Sequence, residues 1–130
     1  IWVGGGVTFS NVKNYKKKTN KKMAKKALAS IFSKFKTEKR LDLVKDIKFK
    51  EGKTKEAKLF FEKMKLDSAL LISDEFDQKS ILAMRNLKNF SFLEVSDLNP
   101  YDLIKAKYIL ITHSSVPKIK ELLNVKWKNI

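Results

Sequence analysis

From residue 41 onward, short apolar runs alternate with stretches of helical periodicity, and this alternation constrains the fold more than any other feature of the chain. Leu43 to Phe49, Ser68 to Ser73, Phe90 to Val95 and Tyr108 to Thr112 read as strands. Between and after them, Thr54 to Met64, Gln78 to Asn86, Tyr101 to Lys105 and Val116 to Leu123 read as helices or helical turns. Strands joined through helices need crossover connections, which are right-handed and lay helices over both faces of the sheet. The pattern therefore predicts an open, mainly parallel α/β sheet of about four strands with helices on both faces. Helix entries agree: Thr54 precedes Glu56, Asp77 precedes the helix of Ile81, and Asn99 sets a cap followed by Pro100 at the first helical position.

The chain ahead of this alternation is different. From Asn20, a plausible N-cap, Met23, Ala24, Ala27, Leu28, Ile31, Phe32 and Phe35 fall on one side of a helix, and Lys21, Lys22, Lys25, Lys26 and Lys36 on the other. Residues 1–19 hold a glycine triplet and four lysines with little apolar periodicity, so they read as an extended arm that an external partner orders. The expected organisation is a basic arm over 1–19 and one α/β domain over 20–130. A hydrophobic content of 43% in 130 residues suffices for one core.

Charge points to the partner. The net charge is +15, and residues 1–40 carry twelve lysines and arginines against Glu38 alone. Eight lysines, Lys13, Lys16, Lys17, Lys18, Lys21, Lys22, Lys25 and Lys26, crowd into 14 residues with Asn11, Asn14, Tyr15 and Asn20 between them. A solubilising face normally mixes signs, whereas a one-sided run repels itself until phosphates neutralise it. Lysine is a strongly hydrated point charge, so such a stretch fixes position on RNA by its shape and does not read bases. Trp2, Phe9 and Tyr15 could stack on unpaired bases, although Phe9 could equally pack on the domain. Arg85 and, at the C-terminal end, Lys118, Lys120, Lys126 and Lys128 are secondary contact candidates.

Several chemistries are disfavoured. With no cysteine there is no disulfide, thiolate metal site or cysteine nucleophile. Apolar runs such as Ala69 to Ile72 fall far short of a membrane span. Gly4, Gly5 and Gly6 lack the Lys and Ser or Thr of a P-loop and the third glycine of a dinucleotide fingerprint. They read instead as a bend that passes close to something bulky, with glycine tolerating positive φ. Asp74, Glu75 and Asp77 stand at a strand-to-helix passage where a cation could sit, but helix capping explains them as well. His113 beside Ser114 and Ser115 has no partner at a spacing that suggests catalysis, so a helix-capping turn or a polar surface contact is the simpler reading. No cofactor, metal, membrane or small-molecule substrate is expected.

Several segments, taken in order, resemble one family. Ile1-Trp2-Val3-Gly4-Gly5-Gly6-Val7-Thr8-Phe9 is similar to the segment after the long loop of the large-subunit ribosomal protein L four family. Asn20-Lys21-Lys22 and the helix behind it resemble the family's basic helix, Leu82 to Asn89 its helix-to-strand passage, and Leu98 to Leu103 its late turn. Ser10 to Asn14 depart from the pattern, standing where the family has Gly-Pro and further Pro and Arg residues. The resemblance implies a non-catalytic constituent of the large ribosomal subunit whose partners are ribosomal RNA and neighbouring large-subunit proteins. With the charge reading, the candidate RNA-binding site is Trp2, Gly4, Gly5, Gly6, Lys13, Tyr15, Lys16, Lys17, Lys18, Asn20, Lys21, Lys22, Lys25, Lys26 and Arg85. The family's N-terminal strand and tunnel loop would precede Ile1. Lysine and asparagine usage, with Arg40 and Arg85 the two arginines, suggests an AT-rich bacterial genome or an organelle. The alternative is a regulatory or DNA-binding module outside the ribosome, and a further rival is a small nucleotide-dependent enzyme using Gly4 to Gly6 and Asp74.

Overall fold

A computed structural model describes residues 3–6, 9, 13–49 and 51–123. In chain order they form α1 (Lys21–Thr37), β1 (Leu41–Val44), α2 (Thr54–Lys63), β2 (Ala69–Ser73), α3 (Gln78–Met84), β3 (Phe90–Glu94), α4 (Pro100–Lys105), β4 (Ile109–Thr112) and α5 (Val116–Leu123). Two 3-10 turns, Val95–Asp97 and His113–Ser115, follow β3 and β4. The four strands pair in the order β1-β4-β2-β3, and every pairing is parallel.

Side chains along a strand alternate between the two faces of the sheet, and here both faces are covered. Leu70 and Ile72 of β2 and Ile109 and Ile111 of β4 join one core with Leu28, Phe32 and Phe35 of α1, Leu103 of α4 and Ile119 of α5. Ala69, Leu71 and Leu110 join a second core with Ala57 and Phe61 of α2 and Ala83 and Met84 of α3. The central strands β2 and β4 are buried throughout, which is why they read as continuous apolar runs. Phe61 stacks on Phe90 with centroids 3.9 Å apart, tying α2 to the first residue of β3.

The expected α/β architecture is present, with some boundaries displaced. The predicted first strand, Leu43 to Phe49, is instead Leu41–Val44. Its partner β4 ends at Thr112, opposite Val44, so nothing remains for residues beyond Val44 to pair with. Ile47 and Phe49 pack into the second core from a loop. The third helix ends at Met84, ahead of the predicted Asn86. Helix α2 begins at Thr54 itself, with Lys53 in the capping position and no side-chain capping bond. Asn20 and Asn99 do cap: Asn20 Oδ1 accepts from the Lys22 N–H at 3.0 Å and Asn99 Oδ1 from the Asp102 N–H at 2.9 Å.

The apolar face of α1 is shorter than its periodicity predicts. Leu28, Phe32 and Phe35 are buried, but Met23, Ala24 and Ala27 are exposed. Lys25, expected on the solvent side, is half-buried. The first turns of α1 therefore extend past the core, and the buried stripe runs through Lys25, Leu28, Phe32 and Phe35.

Candidate nucleic-acid interface

The lysine stretch approaches α1 without regular structure: residues 13–20 form neither helix nor strand and are exposed. Asn14 Oδ1 accepts from the Lys16 N–H at 2.9 Å, a local turn that shapes the chain just before Lys17 and Lys18. Tyr15 is 80% exposed, its ring free to meet a flat partner. At Asn20 the cap starts α1, and the first turn then holds Lys21 and Lys22 with no acid. Unsatisfied N–H groups make a helix N-terminus positive, so each cation there opposes the macrodipole by about 0.3–1 kcal/mol. Lys25 and Lys26 extend the same charge into the second turn.

None of the eight lysines from Lys13 to Lys26 forms an ion pair among the described residues. The ion pairs that do form lie elsewhere: Arg40 with Glu38, Lys53 with Glu51, Lys58 with Glu62 and Lys118 with Asp74. The helix positive end, the unpaired lysines and an open tyrosine make one continuous anion-attracting region. Lys25 is its innermost member, lining a hollow with Asp74 and Glu75 beyond β2 and Glu94 at the end of β3. The lysine stretch thus stands at the edge of the sheet where the strands end.

The other predicted residues are not all gathered there. Gly4 and Gly5 have φ of +84° and +59°, as the bend reading requires. A Cβ added at Gly4, Gly5 or Gly6 meets nothing within 4 Å among the described residues, so the bulky neighbour expected there is not supplied by the described part of this chain. Phe9 is 84% exposed, against packing on the domain. Trp2, Asn11, Lys126 and Lys128 lie outside the described residues. Arg85 is exposed at the C-cap of α3, which covers the opposite face of the sheet from α1 and ends where the strands begin. It belongs to a different surface from the lysine stretch.

Lys118, Asp74, Ser114 and Ser115 have structural partners. Lys118 Nζ donates to Asp74 Oδ1 at 2.5 Å, and that hydrogen bond raises the Lys118 pKa. Asp77 occupies the capping position of α3 without a side-chain capping bond. No group of three or more His, Asp or Glu side chains is placed to hold a metal ion among the described residues. Ser114 Oγ donates to Asp46 Oδ1 at 2.7 Å and Ser115 Oγ to the Thr112 carbonyl at 2.8 Å. Ser115 thus closes the turn after β4 on Thr112, and Ser114 ties that turn to the loop after β1.

The sequence reading did not single out Arg40, Lys65, Lys88 or Lys107, which stand shortly before β1, β2, β3 and β4 respectively.

Fold and charge together define an all-parallel α/β domain with a strongly basic leading segment. The chain belongs to the ribosomal protein L4/L1 family, whose sequence model matches residues 1–122. Large ribosomal subunit protein uL4 of Methylibium petroleiphilum is 40% identical over 125 residues, 95% of this chain and 61% of the relative. The protein of the same name from Burkholderia lata is 41% identical over 126 residues, again 95% of this chain and 61% of the relative. That of Paracidovorax citrulli is 40% identical over 94% of this chain and 60% of its own length. The chain thus spans about three fifths of the length of these curated relatives.

Proposed function

We propose that this chain is the RNA-binding α/β part of a structural constituent of the large ribosomal subunit, as the names of its relatives suggest. Residues 1–19 act as a basic arm and 20–130 as one domain. Its partners are large-subunit ribosomal RNA and neighbouring large-subunit proteins, in a bacterial or organellar ribosome. It catalyses no reaction and needs no cofactor. The observation that carries this reading is the run of lysines from Lys13 to Lys26, all exposed but the half-buried Lys25, unpaired among the described residues and continued into the positive end of α1. Such a run binds phosphates without reading bases. Gly4 to Gly6, Tyr15 and Asn20 support it by bending, stacking and starting the helix, and Trp2 contributes a second stacking ring. Arg85 makes a separate contact.

Two measurements test the reading. Large subunits sedimented from a native lysate and washed at high salt should hold close to one copy of the protein, quantified by mass spectrometry. Absence from the washed subunits would make a free nucleic-acid-binding module the better assignment. Replacing Lys16, Lys17 and Lys18 by Ala should weaken RNA binding whatever the base sequence. It should also flatten the dependence of log affinity on log salt by at most about 0.9 per lost phosphate contact. An unchanged slope rules out that stretch as the contact.

A further inference from the structure

We infer that the cleft between α1 and α4 docks an acidic, amphipathic helical segment of a protein partner. Helix α1 packs against both α4 and α5. Its Lys25 lines a hollow with Lys118, Glu121 and Leu122 of α5. At about 100° per residue, Ala24, Ala27 and Ile31 stand roughly 100° to 160° round the helix from Lys25, beyond the buried Leu28. They are therefore on the flank of α1 away from α5, bordering α4. On α4 the same geometry puts Asp102 and Ile104 on opposite flanks of the buried Leu103. Asp102 faces a hollow with Lys88, Asn89 and Ser91 beside the start of β3, which leaves Ile104 on the flank toward α1. Tyr101 lies one turn before Ile104, and Met23 one turn before Ala27.

The exposure of these side chains calls for a partner. Tyr101 is 72% exposed, Ile104 and Met23 are each 67% exposed, and Ala24 and Ala27 are open as well. Single apolar residues on a surface are ordinary, whereas neighbouring ones on two packed helices mark a contact.

Charge selects the occupant. Helix α1 contains no acid, and its exposed Lys34 continues the flank of Ala27 and Ile31. On α4, Lys105 Nζ lies 5.9 Å from the centroid of the Tyr101 ring. Neither lysine forms an ion pair among the described residues. Of the acids nearby, Asp102 accepts from Asn99 Nδ2 at 2.6 Å on the far flank, and Asp97 lies ahead of α4, at the end away from Lys105. Apolar walls with a cationic rim fit a helix that presents apolar side chains at i, i+3, i+4 and i+7 with carboxylates beside them. A phosphate backbone would neutralise the lysines but leave Met23 and Ile104 in water. A second copy would bring its own net charge of +15 against the first. The inference goes beyond the RNA-binding reading and does not depend on it, because none of these side chains is among the RNA contacts proposed above.

The test uses the full chain and two labelled peptides of leucine and glutamate, one with its leucines at helical spacing and one a scramble of the same composition. Binding is read by fluorescence anisotropy at physiological salt. The patterned peptide should bind about tenfold or more tighter than the scramble. Tyr101→Gln and Ile104→Gln together should abolish that preference, and Met23→Gln alone should reduce it. The melting temperature and the affinity for a short RNA hairpin should stay unchanged in the double variant, since both side chains are exposed. Replacing Lys16, Lys17 and Lys18 by Ala should leave the preference intact. Equal affinity for the two peptides, or a preference that survives in the double variant, overturns the inference and leaves the proposed function standing. Hairpin affinity that falls as far as peptide affinity in the double variant also overturns it, making the cleft an RNA contact. So does a dimer in sedimentation that the double variant dissociates, which would seat a second copy there.

Discussion

The two halves of α1 are held by different things. Its second half carries Leu28, Phe32 and Phe35, all buried against β2, β4, α4 and α5. Its first half carries Lys21, Lys22 and Lys26 with Met23, Ala24 and Ala27, all exposed. The second half is stabilised by apolar area removed from water. The first half is started by Asn20 and opposed by its own charge, so it gains most when an anion arrives. One continuous helix thus transmits a contact made at the lysines to the rigid sheet. Most of the stability of such a helix comes from the tertiary packing of its apolar face.

The largest expected effect breaks the anchored half. Phe32, fully buried, should cost about 3–5 kcal/mol when changed to Ala, read as a lower denaturation midpoint. Met23→Ala, three residues into the same helix but 67% exposed, should change stability by less than about 0.5 kcal/mol. Equal losses at the two positions would mean that the first half is also packed.

A smaller effect sharpens the contrast from the other side. Lys21→Glu and Lys22→Glu together should stabilise the free protein by about 0.3–1 kcal/mol per site, because acids suit a helix N-terminus. The same pair should weaken RNA binding. Thermal melting and salt-dependent binding on one preparation check both signs, and stabilisation accompanied by tighter binding would contradict the assigned role.

The smallest effect tests how the sheet edge behind α1 is fastened. Tyr108 Oη donates to Asp42 Oδ2 at 2.6 Å, linking β4 to β1. That hydrogen bond, then burial and the Asp42 charge, push the Tyr108 pKa up from 10.0 to about 12. A raised pKa means the contribution is complete below pH 10.0 and is lost as pH rises through about 12. Denaturation curves of wild type and Tyr108→Phe should therefore converge across that window. A constant gap between them would show that Tyr108 does not titrate there.

Much of the fold was legible because central strands of a parallel sheet are buried on both sides. Ala69 to Ser73 and Ile109 to Thr112 could be read directly, and so could the Asn99-Pro100 entry, since a cap and a proline are local devices. The first strand was misjudged because Leu43, Ile47 and Phe49 alternate like a strand. Pairing with β4 stops at Val44, and the last two side chains find the core from a loop. Periodicity likewise assigned Met23 to the core and Lys25 to solvent, since it reports which residues share a helix face and not where the neighbouring sheet ends.

The lysine stretch was visible because its charges adjoin along the chain, and contiguity needs no fold. Arg85 was found, but its neighbourhood was not. Arg40, Lys65, Lys88, Lys105 and Lys107 are scattered over 68 positions of sequence and become one surface when four parallel strands align their starts. Local order, caps, class of fold and the basic leading segment are written in short-range patterns that each few residues carry. Which strand lies beside which, where a helix runs out of core to cover, and which distant cations share an edge depend on hydrogen bonds and packing between segments far apart in the chain, and those exist only once it has folded.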